Sequence, residues 1–173
     1  MHIVSWNCRG LGNPSKDEAV KDLIKMVSLD VLLLQETKVD EKTLLSLSKM
    51  KWKKNTWIAV SARGSSGGLA TLWAEDTFSL ENSFKTQHWI FTEIRHIASK
   101  ISLSIFNLYV LVNFHEKKEH WKSLVDYVDT NVPSNVIVVG DLNIMLDPMD
   151  KNERVCGRDP MLKTVENLSI YGI

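Results

Sequence analysis

The sequence predicts an α/β fold built on mixed β-sheets, and three observations carry that prediction. Val31-Leu32-Leu33-Leu34 and Val136-Ile137-Val138-Val139 are unbroken apolar runs, as strands covered on both faces are. Val20, Leu23, Ile24 and Val27 recur at helical spacing between two strand-like stretches, which makes the first segment a β-α-β unit. From Thr56 to Tyr109, short strand-like stretches follow one another across brief polar turns, the pattern of antiparallel pairing.

Taken in order, Ile3 to Trp6 reads as a short strand. Ser15-Lys16-Asp17-Glu18 has the spacing of a capping box, in which the Ser15 hydroxyl takes a backbone N–H and Glu18 reaches back; the helix it opens should run to about Ser28. Val31 to Leu34 is the next strand, and Asp40 is placed to cap a short helix through Leu44, Leu45 and Leu47. Lys49, Lys51, Lys53 and Lys54 surround Trp52, with Trp57 close behind. Basic residues interleaved with aromatics can contact DNA, but a solvated loop leading into a strand is the simpler expectation. Strands are expected over 56–61, 69–73, 77–80, 88–94 and 101–109, with a turn at Arg63-Gly64-Ser65-Ser66-Gly67-Gly68. In 101–109, Ile101, Leu103, Ile105, Asn107 and Tyr109 share one face by two-residue periodicity. Phe114, Trp121, Leu124, Val125 and Val128 line one face of a further helix, and Asn135 to Gly140 is a strand so apolar that it should lie deep in a sheet. After a polar stretch, Asp159-Pro160 reads as the N-cap and first residue of a last helix, with Gly172 as its C-cap.

With 173 residues the default is one domain, and 44% apolar with 24% charged residues is ordinary globular composition. Lys plus Arg equals Asp plus Glu, so the formal charge is zero and gives no support to binding of a polyanion. Two cysteines, Cys8 and Cys156, are too few for a disulfide framework, and free thiols are expected. The start of the sequence has no basic segment leading into an apolar one, and no apolar run is long enough to span a bilayer. A soluble intracellular protein, with no membrane partner, is the expectation.

Four short polar insertions stand at the ends of apolar runs: Trp6-Asn7-Cys8-Arg9-Gly10, Gln35-Glu36-Thr37, Asn107-Leu108-Tyr109 and Gly140-Asp141-Leu142-Asn143. Strands of this kind end at a common sheet edge, where loops carry function. Asn7, Glu36, Tyr109, Asp141 and Asn143 are therefore expected to converge. Two carboxylates, two amides and a phenol are the groups that a hard divalent cation and a phosphate ester require. Against this stand plainer readings: Glu36 as a surface residue, Asn7, Asp141 and Asn143 as turn residues, and Tyr109 as a half-buried strand tyrosine.

These residues carry a resemblance. The chain resembles the endonuclease/exonuclease/phosphatase superfamily, the fold shared by deoxyribonuclease I and abasic-site endonucleases. Within it the sequence is most similar to the endonuclease domain of plant LINE-type non-LTR retrotransposons. The likeness rests on Trp6 to Pro14, on Asp30-Val31-Leu32-Leu33-Leu34-Gln35-Glu36-Thr37-Lys38, and on Ser66-Gly67-Gly68-Leu69-Ala70-Thr71-Leu72-Trp73. It implies a single domain over 1–173, a four-layer sandwich of two mixed sheets flanked by helices. It implies Mg²⁺, for which Mn²⁺ can substitute, held by Glu36 and oriented by Asn7. Asp141 would deprotonate the attacking water, Asn143 would bond the scissile phosphate, and Tyr109 would reach that phosphate through its hydroxyl. DNA is the implied partner, and the oligomeric state is left open.

Two departures from the pattern are visible. No proline follows Tyr109 in Tyr109-Val110-Leu111-Val112. The family's final strands bear a Ser-Asp-His motif whose Asp and His complete the site, and that tripeptide occurs nowhere in this sequence. The resemblance thus implies a domain lacking its C-terminal strands, weak or inactive as a nuclease. His88, His96, His115 and His120 are the candidates to replace the pair, with no spacing that favours any of them. A non-catalytic remnant or binding module, and a small-molecule phosphatase of the same superfamily, are the alternative readings.

Overall fold

The structure, a computed structural model, describes residues 1–26, 28–52, 54–64, 66–110, 114–131 and 134–143. The described elements run β1 (Ile3–Asn7), α1 (Pro14–Met26), β2 (Val31–Gln35), α2 (Glu41–Lys51), β3 (Asn55–Val60), β4 (Leu69–Ala74), β5 (Phe78–Lys85), β6 (Trp89–His96), β7 (Ser102–Tyr109), α3 (Phe114–Asn131) and β8 (Val136–Asp141). The helix expected from Asp159 lies outside the described residues. The chain gathers into two compact units, Met1–Tyr109 with Ser134–Asp141, and Val110–Pro133 with Leu142–Ile173.

The first unit holds two four-stranded mixed sheets, ordered β1-β2-β4-β3 and β5-β6-β7-β8. β1 and β2 run parallel across the α1 crossover, and β7 and β8 run parallel across the α3 segment. The remaining neighbours are antiparallel, as their short turns require. Every residue of β2 is buried, because the strand serves two cores at once. Leu32 and Leu34 pack with Ala70, Leu72 and Leu44 under Val20, Leu23 and Ile24 of α1. Val31 and Leu33 pack with Trp73 against Phe78, Ile94 and Ile105 of the other sheet. Period-two alternation in one strand thus supplies both a helix–sheet and a sheet–sheet layer, and the unbroken apolar run follows from it. Two mixed sheets with helices is the fold class that the sequence predicts.

Several boundaries and one cap differ from expectation. α1 is capped two residues before the predicted Ser15: Asn13 Oδ1 accepts from Ser15 N at 3.0 Å and from Ser15 Oγ at 2.7 Å, with Pro14 as the first helical residue. Asn-Pro outcompetes the capping box because the Pro14 ring already fixes a helical φ. Asp40 caps α2 as expected, accepting from Thr43 N at 2.7 Å. Lys49 and Lys51 belong to α2 rather than to a loop, and Trp52 and Trp57 pack against the core cluster that the helices cover. β5 runs on to Lys85, past a bulge between Leu80 and Asn82. Among the described residues β8 is the last strand of its sheet, and its residues are half-buried rather than deep.

The second unit contains α3, where Trp121, Leu124 and Val128 are buried as one face, matching the predicted helical stripe. No helix among the described residues is long and apolar enough to cross a membrane.

Candidate functional site

Four strands of the first unit share a simple pattern on the face between the sheets. In β1 the alternating residues are Ile3, Ser5 and Asn7; in β2, Val31, Leu33 and Gln35; in β7, Ile105, Asn107 and Tyr109; in β8, Ile137, Val139 and Asp141. Each series begins apolar, in the core between the sheets, and ends polar. Because β1 runs parallel to β2 and β7 to β8, the polar ends within each pair fall at the same edge. A sandwich closed by apolar contacts therefore opens, at that edge, into a cluster of hydrogen-bonding groups.

Asn7 sits at the centre. Its Nδ2 donates to Glu36 Oε1 at 3.1 Å and to Asp141 Oδ2 at 2.7 Å, so one amide bridges carboxylates from the two sheets. Its Oδ1 accepts from Arg9 N at 3.2 Å, which fixes the ring of the first polar insertion. The Tyr109 phenol faces the Glu36 and Asp141 carboxylates closely enough to feel both charges. Lys38 Nζ lies 3.5 Å from Glu36 Oε2. Burial pushes the Glu36 carboxyl up, but Asn7, Lys38 and Tyr109 outweigh it and hold the group below its ordinary value. Burial raises the Tyr109 phenol, and the charges of Glu36 and Asp141 raise it further, so Tyr109 remains a donor across the neutral range.

The backbone delivers these side chains at some strain. Arg9, Glu36 and Lys38 all adopt left-handed φ values, of 49°, 50° and 55°. The loops are braced against one another: Gly10 N donates to Glu36 O at 2.6 Å, Leu11 N to Thr37 O at 2.7 Å, Thr37 N to Gly68 O at 3.1 Å and Lys38 N to Gly67 O at 3.0 Å. A side chain at Gly68 would stand 2.3 Å from Thr37 Oγ1, so this brace needs glycine. Gly140 is as constrained. It has φ +137°, and a Cβ there would lie 2.0 Å from Leu108 O. That close approach keeps β8 tight on β7, with Asp141 opposite Tyr109 in register. Lys16 Nζ ties down the first loop from α1, donating to Cys8 O at 2.6 Å and Arg9 O at 2.8 Å. Cys8 itself is a buried free thiol turned onto Gln35 O, and burial pushes it up to about 11, which removes it from nucleophilic chemistry. Cys156 lies outside the described residues.

Of the five residues expected to converge, the structure brings Asn7, Glu36, Tyr109 and Asp141 together. Asn143 belongs to the second unit, where its Nδ2 donates to Val110 O and its own carbonyl accepts from Lys117 Nζ. Among the candidate histidines, His96 is a hairpin residue, its ring on Ser99 Oγ at 2.8 Å and edge-on to Phe78. His88 offers its carbonyl to Tyr109 N at 2.8 Å, and the His120 ring, in the second unit, is lowered by burial. The side chain of His115 lies outside the described residues. Sequence reasoning passed over Lys38, although it stands in the Glu36-Thr37-Lys38 motif, and over the buried amides Gln35 and Asn107. A polar residue in phase with an apolar face was the available signal for both amides.

A hard cation finds suitable donors here. Glu36 and Asp141 each accept from the same nitrogen of Asn7, which brings two carboxylates together at the sheet edge, with Lys38 beside that of Glu36. Among the described residues no three acidic, histidine or cysteine side chains cluster. That donor set fits Mg²⁺, which takes one or two carboxylates and fills its shell with water and substrate oxygens.

No curated protein matches the chain significantly. Among solved structures, the AP endonuclease LMAP from Leishmania major is similar at TM-score 0.68 and 16% identity, over 88% of this chain and 58% of that one. Humanized D. rerio TDP2 is similar at TM-score 0.63 and 17% identity, over 83% of this chain and 66% of that one. A mannosyl-6-phosphatase from Bacteroides thetaiotaomicron is similar at TM-score 0.63 and 13% identity, over 82% of this chain and 65% of that one. The chain thus spans about three fifths to two thirds of the length of these structures, and at such identities the likeness is one of fold. The sequence itself matches one family model over residues 4–159, a span that contains all four polar strand ends, and by that match the chain belongs to the Endonuclease/Exonuclease/phosphatase family.

Proposed function

We propose that the chain is a divalent-cation-dependent phosphodiester hydrolase domain acting on DNA, of the type found in LINE retrotransposons. The observation that carries this reading is the Asn7 amide spanning Glu36 and Asp141, carboxylates that come from different sheets and 105 residues apart (141 − 36) in the chain. The motifs around Asn7, Glu36 and Gly68 support the retrotransposon type, and the AP endonuclease and TDP2 folds support a nucleic-acid substrate.

Glu36 and the Asn7 amide oxygen would hold Mg²⁺, or Mn²⁺ in its place. Bound there, the cation would neutralise charge on the phosphate and leaving oxygen. Glu36 is suited to this because its lowered pKa keeps it ionised through the neutral range. Asp141 would orient the attacking water and take its proton. Tyr109, kept protonated by its surroundings, would donate to a phosphate oxygen. Asn143 keeps the role that the resemblance gives it, a donor to the scissile phosphate. Lys38, already beside Glu36, would add positive charge where phosphate arrives. The 173 residues contain no Ser-Asp-His tripeptide, and the loss of one preorganised stabiliser typically lowers a rate by on the order of 10²–10³. Nicking by this stretch alone should therefore be slow.

The test is Mn²⁺ titration by electron paramagnetic resonance, together with nicking of supercoiled plasmid. Wild type should bind Mn²⁺ weakly and nick slowly, and Glu36→Gln should do neither. Equal Mn²⁺ affinity in both proteins would refute the assignment of Glu36. Turnover of p-nitrophenyl phosphate without nicking would favour a phosphatase. Binding of DNA without any cleavage would favour a non-catalytic module.

A further inference from the structure

One polar feature of the first unit is not used by this chemistry. Between the sheets, in the midst of Val31, Leu33, Trp73, Phe78, Ile94 and Ile105, two amides are fully buried: Gln35 from β2 and Asn107 from β7. Gln35 Nε2 donates to Asn107 Oδ1 at 2.7 Å and to Ser5 Oγ at 3.1 Å. Asn107 Nδ2 donates to Ala70 O at 2.9 Å and approaches Leu34 O and Thr71 Oγ1, each at 3.4 Å. The group therefore ties β1, β2 and β4 of one sheet to β7 of the other.

Burial alone does not call for these residues. Replacing both members of a buried hydrogen-bonded pair with apolar groups of the same shape is often neutral or stabilising, whereas removing one partner is costly. Apolar contacts between sheets are also non-directional, so they hold the layers together without fixing how one lies over the other. A hydrogen bond at 2.7 Å does fix it. Its place in the chain is informative as well. Gln35 directly precedes Glu36, and Asn107 stands two residues before Tyr109 on the same strand face.

We infer that the Gln35–Asn107 pair is an inter-sheet clasp whose task is to align the site: it sets Tyr109 against Glu36 and, one strand out on each side, Asp141 against Asn7. Both residues are positioning residues; neither meets the site's substrate. The site needs such a device because its hydrogen bond between the sheets, Asn7 to Asp141 at 2.7 Å, tolerates only a few tenths of an ångström before it weakens. In a catalytic arrangement, a misplacement of about 1 Å can lower a rate on the order of 10²-fold.

The inference rests on the proposed hydrolase reading for its kinetic consequence but not for its geometric one, and the experiment separates the two. Gln35→Met/Asn107→Leu replaces both amides with apolar residues of similar size. Two quantities are measured in it and in wild type: the urea midpoint, and the separation of Asn7 Nδ2 from Asp141 Oδ2 in a crystal structure of each protein. The double variant should unfold at the wild-type urea concentration or above, while the Asn7–Asp141 hydrogen bond, 2.7 Å long with the clasp in place, is lost. Nicking should fall about 10²-fold through kcat rather than KM. Single Asn107→Leu, which strands the Gln35 amide, should unfold at distinctly lower urea than the double variant. An unchanged Asn7–Asp141 bond in a folded double variant would overturn the inference. So would a double variant that no longer folds, because the pair would then serve stability. If wild type does not nick at all, the hydrolase reading fails while the Asn7–Asp141 separation still decides the clasp.

Discussion

At the scale of single residues, the site is governed by which groups hold their protons. Asn7 and Lys38 lower Glu36 against the pull of burial, while burial and the charges of Glu36 and Asp141 raise Tyr109, an arrangement that keeps one an anion and the other a donor. Cys8, adjacent to Asn7, is the inert member of the first insertion. Its thiol is buried and raised from an ordinary 9.0 to about 11, so its thiolate fraction at pH 8 is about 100-fold smaller than in the unfolded chain. Iodoacetamide at pH 8 should therefore alkylate Cys8 at least about 100-fold more slowly in native protein than in urea, measured by mass spectrometry of the Cys8 peptide. Comparable rates in the two states would show that the first loop opens readily. The four residues that meet in the site were legible because each ends an apolar run. The pairing of Gln35 with Asn107 was not, because it is set by how one sheet lies over the other, and a linear pattern does not carry that relation.

Among the elements, the two crossovers and the hairpins follow from spacing alone, and β2 shows why: its alternation feeds a core on each face. The start of α1 was misplaced because two local signals compete there, and Pro14 makes Asn13 the cap. Asn13→Ala should lower stability by about 1 kcal/mol, seen as a shift in urea midpoint with unchanged slope. Ser15→Ala should have the smaller effect; the reverse order would restore the capping box. The length of β5 was underestimated since its exposed residues Ser79 to Lys85 lack the alternation that marks a half-buried strand. Its charged side chains Glu81 and Lys85 and its bulge suit an edge strand, which must discourage pairing with other chains.

For the molecule as a whole, zero formal charge describes the sum and not the distribution. Lys38 and Lys16 are drawn onto the loops of the candidate site, while Glu41, Glu81 and Asp76 pair with Lys85, Arg95 and Lys54 elsewhere. Composition was therefore a poor guide to the family, and the order of motifs along the chain was a better one. Mixed sheets were legible from the change between crossover and hairpin connections, while their number, two, came from the family likeness. The place of β8 at the end of its sheet among the described residues was not legible, because an apolar strand reads the same whether or not a neighbour covers it.

The left-handed backbone at Glu36 has a consequence for how this domain would respond to selection for robustness. A glutamate is an unfavourable occupant of φ +50°, a conformation that asparagine tolerates far better. Glu36→Asn should raise the unfolding temperature or leave it unchanged, with strain relief on the order of 1 kcal/mol offsetting the lost contacts to Asn7, Lys38 and Tyr109, while abolishing any response to Mn²⁺. Differential scanning calorimetry with and without the ion checks both halves, and a marked loss of thermal stability would show that Glu36 is needed by the fold itself. A library screened for heat resistance alone should then enrich substitutions at this position and erase the site. One screened for cleavage should keep the glutamate and accumulate its stabilising changes elsewhere.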